Sequence, residues 1–188
     1  MLWLTGLSGA GKSVIVAALE AALVASGHAA FVLDGDNLRH GLNSDLGFSP
    51  PDRTENIRRA GEVAALLADA GVLTLAAFIS PYRADRAAAR ATVGAERFLE
   101  IFVDAPLALC EGRDPKQLYR RARAGEIADF TGVSAPYEPP EHPDLTLDTA
   151  ALDPAACVAS LLALLERRGF LGVEGAAPSG GSEENART

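Results

Sequence analysis

The chain has 188 residues, of which 48% are apolar, and it carries a formal net charge of −8. This length fits one compact domain with a complete hydrophobic core. The acidic balance argues against general nucleic-acid binding, although a local arginine cluster can still bind a small anionic ligand. No apolar run approaches the roughly 20 residues that cross a bilayer, and the N-terminus lacks a basic signal region.

Two cysteines, Cys110 and Cys157, lie far apart in apolar stretches. Neither belongs to a Cys-x-x-Cys or Cys/His cluster, so we expect no structural zinc and two buried free thiols. Free thiols fit a reducing compartment. Together with the missing signal region they predict a cytoplasmic protein without a membrane partner.

Apolar runs and glycine or proline breaks predict strands that alternate with helices. In the first half we expect strands at 2–4, 31–33 and 72–79, helices at 12–26, 50–70 and 83–93, and a loop at 37–48. In the second half we expect strands at 98–103 and 145–147, and helices near 105–111, 115–124 and 154–168. Residues 125–144 form a long Gly- and Pro-rich connection that is typical of a lid, and residues 172–188 are predicted to be a disordered tail.

This alternation predicts an α/β fold, with one domain over residues 1–171 built on a parallel sheet and flanked by helices on both faces. Ligands of such sheets bind at the carboxyl ends of the strands. The segments that directly follow predicted strands are therefore the candidate site.

A phosphate-binding motif follows the first predicted strand. The residues Gly6-Leu7-Ser8-Gly9-Ala10-Gly11-Lys12-Ser13 match the pattern G-x-x-x-x-G-K-S/T in full. Glycines permit close backbone approach, so that successive N–H groups and a helix N-terminus face the phosphate oxygens. We expect Lys12 to reach the β- and γ-phosphates of a nucleoside triphosphate and the Ser13 hydroxyl to bind Mg²⁺. The motif makes the expected architecture a three-layer P-loop NTPase fold.

The remaining signals favour a small-molecule kinase over other P-loop classes. The N-K-x-D motif with which GTPases read their base is absent, because neither Lys12 nor Lys116 follows an Asn. Two carboxylates, Asp34 and Asp36, directly follow the second strand, earlier than in a mechanical ATPase. On an extended chain both would point into the cleft. We expect Asp34 to act on the metal through a water molecule and Asp36 to orient the acceptor hydroxyl.

Arginines downstream of these carboxylates predict an anionic acceptor. Arg53 and Asn56 can share one face of a helix, whereas a position on its solvated face is expected for Arg58 or Arg59. The segment Ile79-Ser80-Pro81-Tyr82-Arg83 follows the third strand and should line the cleft. Next to the lid lies a basic segment that should close on the triphosphate and exclude water. It comprises Arg113-Asp114-Pro115-Lys116 with Arg120, Arg121 and Arg123.

Taken together, these segments resemble the adenylylsulfate kinase (APS kinase) family over residues 2 to about 168. The matching stretches are residues 4–13, 33–39, 46–49, 52–59, 78–83, 113–116, 130–133 and 136–138. The resemblance implies transfer of the γ-phosphoryl group of ATP to the ribose 3′-hydroxyl of adenosine 5′-phosphosulfate (APS). The products would be 3′-phosphoadenosine 5′-phosphosulfate and ADP. The resemblance also implies Mg²⁺ as cofactor and a homodimer.

The resemblance further implies the residues of two nucleotide sites. The ATP site would comprise the phosphate loop with Val14 and Arg113. The acceptor site would comprise Asp36, Arg39, Phe48, Arg53, Asn56, Ile79, Ser80, Lys116 and Phe130, the last stacking on adenine. Lys12, Asp36 and Ser80 would be catalytic, Ser80 as the family's phosphorylated serine. A serine beside a proline has no evident base, however, and in-line transfer needs only positioning and charge, so we expect direct transfer.

Two alternative functions use the same scaffold. One is a kinase for another small hydroxyl substrate, against which the arginines and aromatics of the acceptor site argue. The other is a nucleotide-binding domain without catalysis, against which the intact Lys12, Ser13 and Asp36 argue. The sequence also departs from the family pattern. Gln117 replaces a usual Gly and should alter the turn of the lid segment. Only two residues precede Trp3, where family members usually carry an N-terminal extension, and this difference should weaken dimer contacts.

Overall fold

The sheet is parallel throughout, as the sequence predicts. The computed structural model describes residues 1–171; the predicted tail at 172–188 lies outside them. The strands are β1 (Leu2–Thr5), β2 (Ala30–Asp34), β3 (Leu73–Ala77), β4 (Leu99–Asp104) and β5 (Leu145–Asp148). Their order is β2-β3-β1-β4-β5, with every neighbouring pair parallel. All five carboxyl ends therefore meet at one edge of the sheet.

Helices connect these strands close to the predicted positions. They are α1 (Lys12–Ala25), α2 (Gly35–Arg39), α3 (Pro50–Asp69), α4 (Arg83–Val93), α5 (Leu107–Arg113), α6 (Leu118–Arg123) and α7 (Pro154–Arg167). The start of the predicted loop at 37–48 is wrong, because α2 occupies residues 35–39. The Asp34 carboxylate causes this turn by accepting a hydrogen bond from the Asp36 amide at 2.8 Å, which caps the helix N-terminus.

The longer helices begin where the sequence supplies caps. At α3 the Ser49 hydroxyl accepts from the Asp52 amide and Pro50 takes the first position. At α7 the Asp153 carboxylate accepts from the Ala156 amide at 2.8 Å. Both arrangements satisfy backbone N–H groups that have no partner inside the helix. The caps explain why these two helix starts could be predicted to within a residue.

Helices cover both faces of the sheet, which makes three layers. On one face Trp3 stacks on Phe78 and Phe98 with ring centroids 5.0 and 5.6 Å apart, and α3 and α4 close over them. On the other face Leu2 and Leu4 pack against α1 and α7. Burial on both faces explains the continuous apolar runs of the inner strands β1 and β3, whereas the edge strands β2 and β5 are partly exposed. Within residues 1–171 no helix is long and apolar enough to cross a bilayer.

Candidate active site

A cleft of about 1130 Å³ opens at the carboxyl edge of the sheet. Small-molecule pockets usually measure about 300–1000 Å³, so this cleft is slightly larger than a usual small-molecule site. Its walls include nearly all the residues predicted for the two nucleotide sites. From the ATP set these are residues 8–14 and Arg113, and from the acceptor set they are Asp36, Arg39, Phe48, Arg53, Asn56, Ile79, Ser80, Lys116 and Phe130. Gly6 and Leu7 do not line the cleft.

The phosphate loop turns through left-handed backbone between β1 and α1. Gly9 and Gly11 have φ values of 77° and 106°, which glycine adopts without strain. A Cβ at Gly6 would lie 2.3 Å from the carbonyl oxygen of Val103. Glycine is therefore required at this position by close packing of the loop against β4.

Lys12 lies inside this loop and is bound to it. Its Nζ donates to the carbonyl oxygens of Gly6 and Leu7, both at 2.8 Å. Burial lowers the pKa of Lys12 to about 8, and the nearby carboxylates of Asp34 and Asp36 offset only part of that effect. A buried ammonium with carbonyl partners gains from a phosphate dianion, which suits the predicted phosphate contact.

Residues that are distant in sequence stabilise the loop by binding its carbonyl groups. The Tyr119 hydroxyl donates to the Ser8 carbonyl at 2.9 Å, and the Thr149 hydroxyl donates to the Ala10 carbonyl at 2.9 Å. Arg113 donates to the Thr149 carbonyl at 2.6 Å and lies within 3.3 and 3.5 Å of two loop carbonyls. Arg113 thus supports the loop in addition to lining the cleft. Sequence reasoning missed Tyr119 and Thr149, because no local motif marks them.

The two predicted carboxylates occupy different positions from those expected. Asp34 accepts from the Ser13 hydroxyl at 2.9 Å, beside the phosphate loop. Asp36 lies in the first turn of α2 and forms an ion pair with Lys116 across the cleft. The expected extended Asp34–Asp36 segment is therefore wrong, since the chain turns into α2 directly after β2. Both carboxylates nevertheless line the cleft.

Arg39 and Phe48 form an exposed pair at the acceptor end. The Arg39 guanidinium lies 4.2 Å above the Phe48 ring and donates to the Gly47 carbonyl at 2.9 Å. Phe48 is 57% exposed, so much of its ring is open to the cleft that it lines. Its free face makes it the most accessible aromatic surface of the cleft.

Arg53 and Asn56 share one buried face of α3, as predicted. Arg53 donates to the Asp129 carbonyl at 2.7 Å and to the Thr131 hydroxyl at 3.1 Å, so it ties α3 to the lid. Asn43 donates to Asn56 Oδ1 at 3.0 Å. This bond occupies the Asn56 carbonyl and leaves its NH₂ group for a ligand. Asn43 and Thr131 are further residues that sequence reasoning missed.

Arg58 takes the solvated position that the sequence predicts for one of the two arginines, with a side chain that is 55% exposed, whereas that of Arg59 is 25% exposed. Arg58 pairs with Glu55 and Glu62, and Arg59 pairs with Glu55 and Asp45. Neither lines the cleft.

The segment after β3 lines the cleft only in part. Ile79, Ser80 and Pro81 reach it, whereas Tyr82 and Arg83 do not, because α4 begins there and turns the chain away. Ser80 is 2% exposed and has a φ of 39°. Its hydroxyl accepts from the Trp3 indole N–H at 3.1 Å.

Phe130 is more deeply buried than its predicted stacking role suggests. It is 6% exposed, and Tyr119 meets its ring edge-on with centroids 5.0 Å apart. It still borders the cleft. Stacking on a base by Phe130 stays a prediction, and Phe48 offers the larger free ring surface.

The basic segment beside the lid is split by the fold. Lys116 and Arg121 line the cleft, but Arg120 and Arg123 do not, and Arg123 pairs with Glu111.

Gln117 has a φ of 54° at the start of α6. A left-handed residue at this turn explains why glycine would suit the position, and Gln117 holds it at some conformational cost.

A phosphate loop, a facing carboxylate and cations from the basic segment beside the lid, all in one cleft, define a P-loop phosphotransferase for small molecules. The family model of adenylylsulphate kinase matches residues 1–148. The chain therefore belongs to the adenylylsulfate kinase family, and its enzymatic class is that of an ATP-dependent phosphotransferase.

Individual relatives agree with this assignment. The adenylyl-sulfate kinase of Marinobacter nauticus is 57% identical over 168 residues, which cover 89% of this chain and 84% of the relative. The APS kinase of Mycobacterium tuberculosis, solved in complex with AMPPNP and APS, is 51% identical with a TM-score of 0.85, covering 88% of this chain and 96% of that one. A hexameric APS kinase from Thiobacillus denitrificans is 36% identical with a TM-score of 0.70, covering 92% of this chain and 30% of that one.

The lowered pKa of Lys12 predicts a pH dependence of ATP binding. Above about pH 8 the free protein loses the Lys12 proton, and phosphate binding must take it up again. The Kd for ATP should then rise by about tenfold per pH unit. Calorimetric titrations across this range would measure it. Lys12→Arg stays charged, so it should bind ATP more weakly and without this pH dependence. A constant Kd in the unmodified protein would contradict the prediction.

Proposed function

We propose that this chain transfers the γ-phosphoryl group of ATP to the ribose 3′-hydroxyl of APS. The observation that carries the proposal is that one cleft holds a phosphate loop on one side and an arginine, carboxylate and aromatic set on the other. The related M. tuberculosis structure, described as a complex with AMPPNP and APS, supports the assignment of these two nucleotides.

In this proposal the loop and its cations bind the triphosphate of ATP. Backbone N–H groups of residues 8–13 and the N-terminus of α1 face the phosphates. Lys12 exchanges its two carbonyl partners for the β- and γ-phosphate oxygens. Arg113 and Val14, which line the same wall, complete the ATP site. Charge on the transferring group is thereby stabilised without a covalent intermediate.

Ser13 and Asp34 fit the binding of Mg²⁺ together with the triphosphate. The hydroxyl and the carboxylate lie side by side at 2.9 Å, and both are hard oxygen ligands. Magnesium in kinases is usually held by one or two such groups, substrate phosphates and water. When bound it supplies charge neutralisation on the phosphate oxygens. We propose that Ser13 binds it directly and Asp34 through water.

On the acceptor side, Asp36 is proposed to orient the 3′-hydroxyl and to accept its proton. Asp36 is 59% exposed in its side chain and faces Lys116, so a substrate can reach it. Lys116 would then move from Asp36 to the phosphates when both nucleotides bind.

The phosphosulfate and ribose of APS would be held by Arg39, Arg53 and Asn56. Its adenine would stack on Phe48 and Phe130.

We propose direct transfer, with Ser80 as a contact rather than a nucleophile. Its side chain is buried and accepts a hydrogen bond from Trp3. Within the described residues the hydroxyl has one hydrogen-bond partner, the Trp3 indole N–H, which is a donor and not a base. A hydroxyl without an adjacent base is a weak nucleophile.

Two further proposals concern the oligomeric state and the cellular location. We propose that the chain self-associates, as a homodimer, with support from a relative that is described as hexameric. We also propose a cytoplasmic location, because Cys110 and Cys157 are free and buried, as expected under reducing conditions.

The proposed reaction is tested by ATP turnover with and without APS in a coupled ADP assay. We expect ADP release to depend on APS and 3′-phosphoadenosine 5′-phosphosulfate to form in equal amount. ADP release that is unchanged by APS, or that responds instead to another small hydroxyl compound, would refute the proposal.

Asp36→Asn should lower kcat by about 100-fold or more, the usual contribution of a proton acceptor. ATP affinity should change little, because Asp36 does not contact the phosphate loop in the structure. Steady-state kinetics together with ATP titration would measure both. Asp45→Asn is a matched control, since Asp45 also pairs with a basic residue but lies outside the cleft. Unimpaired turnover in Asp36→Asn would exclude the role assigned to Asp36.

Phe48→Ala should raise the KM for APS by roughly 5- to 150-fold, the range for losing a stacked base, and leave the KM for ATP nearly unchanged. Phe31→Ala is the control, because Phe31 is 49% exposed, close to the 57% of Phe48, and lies away from the cleft. An effect on ATP alone would disprove base stacking by Phe48.

A further inference from the structure

The strap after β3, residues 79–81, is held in an unusual backbone conformation. Ser80 has a φ of 39°, a conformation that is unfavourable for a non-glycine residue and persists only when its surroundings enforce it. Part of this enforcement comes from β1. The Thr5 hydroxyl donates to the Ile79 carbonyl at 2.8 Å, and the Trp3 indole donates to the Ser80 hydroxyl at 3.1 Å.

The remaining restraint comes from Arg86, which none of the sequence motifs contains. Arg86 lies in the first turns of α4 and is 3% exposed. Its Nη1 donates to the Ser80 carbonyl at 2.7 Å and its Nη2 to the Glu138 carbonyl at 2.8 Å. Its Nε donates to the Glu100 carboxylate at 2.6 Å. One guanidinium therefore joins the strap, the lid segment 125–144 and β4.

This arrangement needs the shape of arginine and its charge. The three partners accept from three different nitrogens of one planar group, which a lysine ammonium cannot reproduce. The Glu100 carboxylate neutralises the buried cation, as a charge in this environment requires. The Glu138 amide also donates to the Pro81 carbonyl at 2.9 Å. Arg86 and Glu138 therefore bind the two successive carbonyl groups of Ser80 and Pro81.

We propose that Arg86 is a positioning residue for the acceptor. It holds the Ser80 carbonyl and thereby keeps Ile79 and Ser80 in the conformation that lines the acceptor end of the cleft. The inference rests on the proposed function, because it assigns the strap to APS. Arg86 itself does not line the cleft and makes no hydrogen bond to the phosphate loop. Its loss should therefore act on the acceptor and not on ATP.

Arg86→Lys tests this, with Arg90→Lys as the matched control. Arg90 lies one turn further along α4 and also pairs with a carboxylate, Asp144, at 2.9 Å, but it does not touch the strap. We expect Arg86→Lys to raise the KM for APS by about tenfold, the order expected when a hydrogen-bonded contact with the acceptor is weakened. The Kd for ATP should stay within about twofold. Arg90→Lys should leave both constants unchanged even where it lowers the Tm.

Rescue provides a readout that lost stability would not move. Arg86→Ala should recover a low KM for APS when guanidinium ion is added at millimolar concentration, and Arg90→Ala should show no such response. If Arg86→Lys and Arg86→Ala do not fold, Glu100→Gln carries the test. It removes the neutralising charge but keeps an oxygen for Arg86 Nε, and it should raise the KM for APS without changing the Kd for ATP.

The outcomes separate this inference from the proposed function. Wild-type protein without APS-dependent turnover would overturn both. Wild-type protein with APS-dependent turnover, but equal changes for APS and ATP in the Arg86 or Glu100 variants, would overturn only the positioning role. The positioning role would also be wrong if Arg86→Lys had the same kinetic constants as Arg90→Lys.

Discussion

The site depends on how the backbone turns from β1 into α1. This turn must direct N–H groups toward the phosphates, so its carbonyl groups need other partners. The partners are side chains that donate hydrogen bonds to the loop carbonyls: Lys12, Tyr119, Arg113 and Thr149. These bonds hold the carbonyl side of the loop, so that its N–H groups remain directed toward the phosphate position.

A second constraint is the balance of charge inside the cleft. The chain is acidic overall, with a net charge of −8, yet cations approach the cleft from the phosphate loop, from α2 and α3, and from the basic segment beside the lid. Two of them, Lys12 and Arg53, are at least nine-tenths buried. Both donate hydrogen bonds to backbone carbonyls. Local placement therefore outweighs the global sign, as expected where a cleft concentrates one charge.

The two sides of the cleft differ in how far they could be predicted. The ATP side follows from one contiguous motif, because the loop, the helix and the lysine are neighbours in sequence. On the acceptor side Arg53 and Asn56 were predictable from helical spacing, since Ser49 and Pro50 define the start of α3. The carboxylates were predicted as residues but not in their geometry, because a cap at Asp34 turns the chain into α2.

The sequence by itself determined the alternation of strands and helices, the phosphate loop and the family. These depend on local periodicity, caps and contiguous motifs, whose physics operates within a few residues. Only the tertiary structure decided which side chains support the site. Tyr119 and Thr149 meet the phosphate loop from 111 and 139 residues away, and Arg86 reaches both the strap and Glu138. Such contacts arise because parallel strands bring segments that are distant in sequence to one edge of the sheet. Local sequence patterns therefore do not predict them.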